Sequence, residues 1–234
     1  MNLSLLTYTH SNCSDIYKLY FDSVDAFFKP EKNYVLVNKL IDDNRINQII
    51  YNNDTDYSEQ MLLGLSRIDT EYLIYSQEDY ILYNNVNLDL LNESIELLNN
   101  NKDIMFIRLI RSGLTGNEEE YNDNFVKLDN QHEYFYSTQI TLWRKECLEK
   151  MFKLSKTKHI TEESKNSKFL KLIGGIGVCS KLGNEKVGGH YNSIIYPYIA
   201  TAIVKGKWNF TEYGDKLDVL LNNYNIDKNK RGIF

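Results

Sequence analysis

Residues 72–80 read Tyr72-Leu73-Ile74-Tyr75-Ser76-Gln77-Glu78-Asp79-Tyr80, an apolar run that stops on two adjacent carboxylates. The run Tyr72 to Tyr75 is rich in strand formers and predicts a buried strand. In open α/β sheets, ligands collect at the carboxyl ends of such strands. Glu78 and Asp79 are therefore placed to face a cleft, where a hard divalent cation and a phosphate could meet them.

Working outward, the stretches on either side alternate between two periods. Leu3 to Thr7 predicts a first strand, and Ser14 or Asp15 can cap a helix carrying Ile16, Leu19, Tyr20, Val24 and Phe27. Tyr34 to Val37 and Ile46 to Tyr51 are short apolar runs. Tyr57 to Ile68 places Met61, Leu62, Leu65 and Ile68 on one helical face. Beyond the central run, Leu88, Leu91, Ile95 and Leu98 predict a helix that Asn99-Asn100-Asn101 stops, and Ile104 to Leu109 predicts another strand. Strands alternating with helices predict a mostly parallel α/β sheet.

After Arg111 the alternation fades. Residues 113–124 are polar and read as a loop. Residues 133–143 read as strand material, 145–154 and 162–172 as helices, and 155–161 as a loop. Residues 174–190 are glycine-rich between short apolar pieces, 215–221 predict a terminal helix, and 222–234 read as a loosely held polar end.

Composition narrows the function classes. The 234 residues suffice for one large domain, and a 42% hydrophobic fraction allows a sizeable core. With 27 basic against 32 acidic residues and no basic stripe, no nucleic-acid partner is expected. Cys13, Cys147 and Cys179 have neither zinc nor disulfide spacing, which predicts a reducing compartment. Neither a signal peptide nor a membrane span is evident, so the expectation is a soluble cytoplasmic protein.

Several pieces together resemble a nucleotide-sugar glycosyltransferase of the GT-A fold, near the family-2-like group. They are Leu5-Leu6-Thr7-Tyr8, Asp69 to Tyr75 leading into Gln77-Glu78-Asp79, Gln139 to Arg144, His190-Tyr191, Ile195 to Tyr198, and Lys205-Gly206-Lys207-Trp208. The resemblance implies a Rossmann-type, mostly parallel mixed sheet flanked by helices. Residues 1–111 would form the nucleotide-sugar half of a single domain, and 112–234 a C-terminal acceptor-side subregion. It implies transfer from a nucleoside diphosphate sugar, UDP-sugar first and GDP- or dTDP-sugar as alternatives, to a hydroxyl of a glycan or related acceptor, with inversion.

In that frame Thr7, Tyr8 and Thr9 would meet the base and ribose, with Asn38 beside them. Gln77 stands where the family's metal motif has its first Asp; with Glu78 it would help bind the donor, since an amide can hydrogen-bond a ribose hydroxyl but is a poorer metal ligand than a carboxylate. Asp79 then becomes the main candidate for holding Mn²⁺ or Mg²⁺, with Glu78 supporting and His190 as a further ligand. Lys205 and Lys207 would offset the departing diphosphate. Glu162 or Glu163, at a helix start, would take the acceptor proton. Trp143 and Trp208 could offer a face to a sugar, and residues 174–177 could form a flexible loop over the acceptor. Two rival readings are a nucleotidyltransferase and a non-catalytic nucleotide- or glycan-binding module. Against the first, Thr9-His10-Ser11-Asn12-Cys13 is not a glycine-rich basic loop.

Overall fold

The computed structural model describes residues 2–116 and 118–234; Met1, and Asn117 within the expected loop 113–124, lie outside the described residues. In chain order the elements are β1 (Leu3–Tyr8), α1 (Tyr17–Phe27), β2 (Asn33–Val37), β3 (Asn47–Ile50), α2 (Tyr57–Arg67), β4 (Tyr72–Gln77), α3 (Leu88–Asn100) and β5 (Ile104–Arg108). Then come β6 (Glu119–Glu120), β7 (Phe125–Lys127), β8 (Thr141–Arg144), α4 (Lys145–Ser155), α5 (Glu163–Ile173) and β9 (Ile176–Ser180). Two small hairpins follow, β10 (Lys186–Val187) with β11 (His190–Tyr191) and β12 (Ile203–Val204) with β13 (Lys207–Trp208), and then α6 (Phe210–Asn223) and α7 (Lys228–Arg231).

Nine strands form one sheet in the order β3-β2-β1-β4-β8-β5-β9-β7-β6. β3, β2, β1 and β4 run parallel. β8 is antiparallel to both β4 and β5, so β5 points the same way as β4. β9 runs parallel to β5, and β7 antiparallel to β9. The expected mostly parallel mixed sheet is therefore present. The carboxyl ends of its parallel strands, at Tyr8, Val37, Ile50, Gln77 and Arg108, share one edge.

Alternation along the strands divides the core between two faces. Leu3, Leu5, Tyr72 and Ile74 pack with Tyr20 and Val24 of α1 and Leu91 and Leu98 of α3. Leu6, Leu73 and Tyr75 pack with Met61 and Leu65 of α2, Met151 and Phe152 of α4 and Leu170 of α5. A smaller cluster joins Ile16, Leu19 and Ile81 to Trp208, Leu217 and Leu221, seating α6 against the start of α1.

The second half departs from the expectations. Only the last part of 133–143 is strand, because residues 133–140 cross the sheet edge to bring β8 in against β4. The glycine-rich stretch is not a flexible loop throughout: Ile176–Ser180 is a strand within the sheet. A Cβ at Gly177 would overlap the rings of Phe106 and Phe135, so glycine there is a packing requirement. It also hides the apolar alternation that marks a strand. The terminal segment is held as well, through α7, a bridge between Trp208 and Ile233, and the Arg231–Asp15 ion pair. Trp143 and Trp208 are both buried in the core and offer no face to a sugar.

Candidate functional site

Three groups of side chains gather along the carboxyl edge. The first is aromatic. Tyr8 ends β1, and its ring lies 5.5 Å from that of Tyr51 in a nearly parallel stack and 5.0 Å edge-on from Tyr57. The Tyr8 hydroxyl donates to Gln60 Oε1 at 2.7 Å, and the Gln60 amide is in turn held by the carbonyl of Thr55 at 2.8 Å. These groups, with Asp54, Asp56, Lys158 and Thr161, line a cavity of about 770 Å³. Its volume suits a ligand as large as a nucleotide.

The neighbours expected to share this role face elsewhere. Thr7 is fully buried, and its hydroxyl bonds to Tyr20 at 2.7 Å, which donates to Ser76 at 2.9 Å. Thr9 is also buried, and its carbonyl accepts from the Tyr51 hydroxyl at 2.9 Å. Asn38 pins the β1–α1 turn, accepting from the Ser11 N–H at 2.7 Å and donating to its hydroxyl at 3.1 Å. These side chains brace the edge.

The second group is the acidic corner after β4. The Glu78 carboxylate lies near the Cys13 thiol, and burial followed by the Glu78 charge pushes that thiol up to about 12. Asp79 lies near the backbone of Ile203 at the base of the β12–β13 hairpin. Burial, then the Glu78 charge, holds its carboxyl far above the usual carboxylate range. Arg231 contributes a cation here: it reaches Cys13 and is fixed by Asp15, with Nε donating to Oδ2 at 2.7 Å. Lys205 and Lys207 lie exposed at the hairpin tip, where Lys205 and Gly206 both take positive φ (50° and 78°), the geometry of a tight hairpin turn.

The third group stands beyond Tyr80. Glu163 Oε1 accepts from both the backbone N–H and the hydroxyl of Thr138, the latter at 2.8 Å. The Thr138 carbonyl accepts from the Tyr80 hydroxyl at 2.8 Å, and that hydroxyl accepts in turn from Gln77 Nε2 at 3.4 Å. A chain of contacts thus links the end of β4 to the start of α5. Glu163 and His190 line one cavity of about 330 Å³ with Arg108, Ser137, Thr138 and Gln139. Glu162, its neighbour in sequence, is turned away. It accepts from the N–H groups of Lys158 and His159, both at 2.8 Å, which hold its carboxyl below the usual glutamate range.

The expected metal ligands are not gathered. His190 belongs with Arg108 and Glu163 rather than with Glu78 and Asp79. Among the described residues, no group of three or more His, Cys, Asp or Glu is arranged to hold a metal ion. Glu78 and Asp79 therefore stand at this corner without His190, with Cys13, Ile203 and Arg231 as their neighbours. No helix is long and apolar enough to cross a membrane, again among the described residues.

Sequence reasoning missed Tyr51, Arg108, Thr138 and Arg231. Tyr51 carried a usable signal, since it ends a strand at the same edge as Tyr8. Arg108 carried another, being a charge inside an apolar run. Thr138 and Arg231 carried none, because only folding brings them to the edge.

The mostly parallel mixed sheet with its flanking helices is a GT-A-like α/β fold. Particular solved structures share it. Residues 1–349 of S. aureus TarS in complex with UDP match with a TM-score of 0.52 at 11% identity, over 95% of this chain and 65% of that one. The same fragment without a named ligand gives 0.51 at 13% identity, over 86% of this chain and 61% of that one. A cytidylyltransferase from Leptospira borgpetersenii serovar Hardjo-bovis gives 0.48 at 14% identity, over 98% of each chain. The chain thus spans less than two thirds of the TarS fragment's length. No protein-family model matches the sequence, and no curated protein matches it.

Proposed function

We propose that this chain is a glycosyltransferase acting on a nucleoside diphosphate sugar, with a uridine nucleotide as the first candidate. The observation that carries this reading is the 770 Å³ cavity at the end of β1, walled by Tyr8, Tyr51 and Tyr57. A planar base extends such an aromatic stack, while the amides and carboxylates around it accept ribose hydroxyls. The UDP bound in the TarS structure of the same fold supports the choice of nucleotide.

In this reading the diphosphate runs from the cavity towards the corner after β4, where Arg231, Lys205 and Lys207 supply positive charge. Preorganised cations of this kind stabilise a leaving diphosphate as its charge develops. The acceptor occupies the Glu163 cavity. Glu163 takes the proton of the acceptor hydroxyl as that oxygen bonds to the anomeric carbon, and the bond from that carbon to the diphosphate breaks on the opposite side. The sugar is transferred with inversion and the nucleoside diphosphate leaves. Thr138 occupies only Oε1, so Oε2 is not used by those bonds.

The nucleotidyltransferase alternative needs a phosphate-binding loop after β1. Here that connection is a tight turn closed by His10 and Asn38. Incubation with UDP-sugars and analysis of the products tests the choice. Free sugar or glycoside together with UDP is expected. Release of pyrophosphate from a nucleoside triphosphate and a sugar phosphate would replace this reading with the alternative, and nucleotide binding with no turnover would favour a binding module.

A further inference from the structure

Arg108 is the only charged residue in β5, and it is 1% exposed. Its guanidinium donates to three carbonyls, of Ser112 at 3.0 Å, Tyr134 at 2.8 Å and Phe135 at 3.1 Å. Among the described residues no carboxylate forms an ion pair with it, and its Nε has no hydrogen-bond partner. Glu163 lines the same cavity and its charge acts on the guanidinium from a distance without an ion pair, and neutral carbonyls offset the cost of burying the cation only in part. His190 lines the same cavity, and its Nδ1 is also buried without a partner among the described residues. The Arg108 Nε–H can only donate, and His190 Nδ1 donates when it carries the ring proton, so the cavity wall suits an absent acceptor, best an anionic one opposite a guanidinium.

We propose that the 330 Å³ cavity binds an anionic group, phosphate or carboxylate, carried by the acceptor sugar and held by Arg108 and His190. This deepens the reading above and rests on it for the word acceptor; the anion site itself rests on Arg108 and His190. Glu163 on the same wall repels a free anion but accepts a hydroxyl. A molecule bearing both a hydroxyl and an anion therefore satisfies the cavity better than inorganic phosphate does. Gly113 approaches the guanidinium so closely that a Cβ would lie 2.7 Å from Nη1. Glu212 packs against Gly188 in the β10–β11 turn, so an anion beside His190 is bound against the charges of Glu163 and Glu212 and depends on the Arg108 cation.

Calorimetric titration of the full chain with a hexose phosphate, a hexuronate, the parent neutral hexose and inorganic phosphate, at matched chloride, tests this. The anionic sugars are expected to bind at least about tenfold more tightly than the neutral one, the scale of one hydrogen bond to a charged group. The tighter of the two identifies phosphate or carboxylate as the source. Equal binding of neutral and anionic sugars, or binding of none, overturns the proposal. Arg108→Lys is the direct variant, but it alters a buried strand. His190→Ala, on a short hairpin, is the second, and it should weaken the anionic sugar about tenfold while the UDP titration is unchanged. Undiminished anionic-sugar binding in His190→Ala would also overturn the proposal. A wild-type protein that binds the anionic sugar but no nucleotide would sink the donor reading and leave the anion site standing.

Discussion

The Tyr8–Tyr51 cavity and the Glu78–Asp79 corner sit at the same edge of the same sheet, since Tyr8 and Gln77 are register partners. The first is open and lined by groups with spare faces. The second is flanked by the C-terminal segment, which brings Ile203 and the Arg231 guanidinium near it. Strand order brings both to the edge, but what later covers them decides what each can do. Adjacent acids after a strand are a cation site only while nothing else in the chain reaches them. Here a tail from more than 120 residues further on, about half the chain length, supplies the neighbours.

The largest effect that sharpens this contrast concerns the cavity beyond both. Glu163→Gln keeps an oxygen for Thr138 but cannot take a proton. Turnover is expected to fall by about 10²–10⁴-fold. UDP affinity and melting temperature should stay near wild type. Steady-state kinetics beside a UDP titration measure this, and undiminished turnover would remove Glu163 as the base.

A smaller pair of effects separates the open region from the covered one. Tyr8→Ala should weaken uridine and UDP alike, by about 1–3 kcal/mol, the usual worth of stacking on a base. Tyr8→Phe, which keeps the ring, should lose little. Arg231→Ala should weaken UDP about tenfold and leave uridine alone, because only UDP carries the diphosphate. Adding a chelator should leave that UDP-to-uridine difference in place. A difference that collapses on chelation, or an Arg231→Ala variant equal to wild type, would return the corner to a divalent ion.

The smallest effect is one of pH. Glu162 is held below its ordinary value by the N–H groups of Lys158 and His159, so the folded state binds its proton less readily than the unfolded chain. Its stabilisation is present above the unfolded glutamate value and is lost as pH falls through the folded one. Glu162→Gln should therefore lower Tm by about 2 °C at neutral pH, with the difference fading below roughly pH 4. A difference that persisted in acid would mean that the turn is held by something other than this charge.

How much was legible follows from how local each signal is. β1, β2, β4 and β5 and the helices α1 to α4 each carry their own period, and each appears close to where the residues place it. β9 was unreadable because Gly177 exists for Phe106 and Phe135, which are remote in sequence. At the site, Tyr8 was named because it ends a strand. Glu162 and Glu163 were inseparable because adjacent residues at a helix start differ only in which way the preceding turn faces them.

The amino-acid sequence by itself determined the alternation of strands and helices, the placement of Tyr8, Gln77, Glu78 and Asp79 at strand ends, and the acids at the start of α5. Hydrophobic period and helix capping act over a few residues, and so can be read without the fold. Only the tertiary structure decided that Thr7 turns inward, that Glu163 rather than Glu162 faces a cavity, that His190 joins Arg108, and that Arg231 flanks the acidic corner. Those outcomes depend on contacts between segments far apart in the chain, whose distances no local pattern encodes.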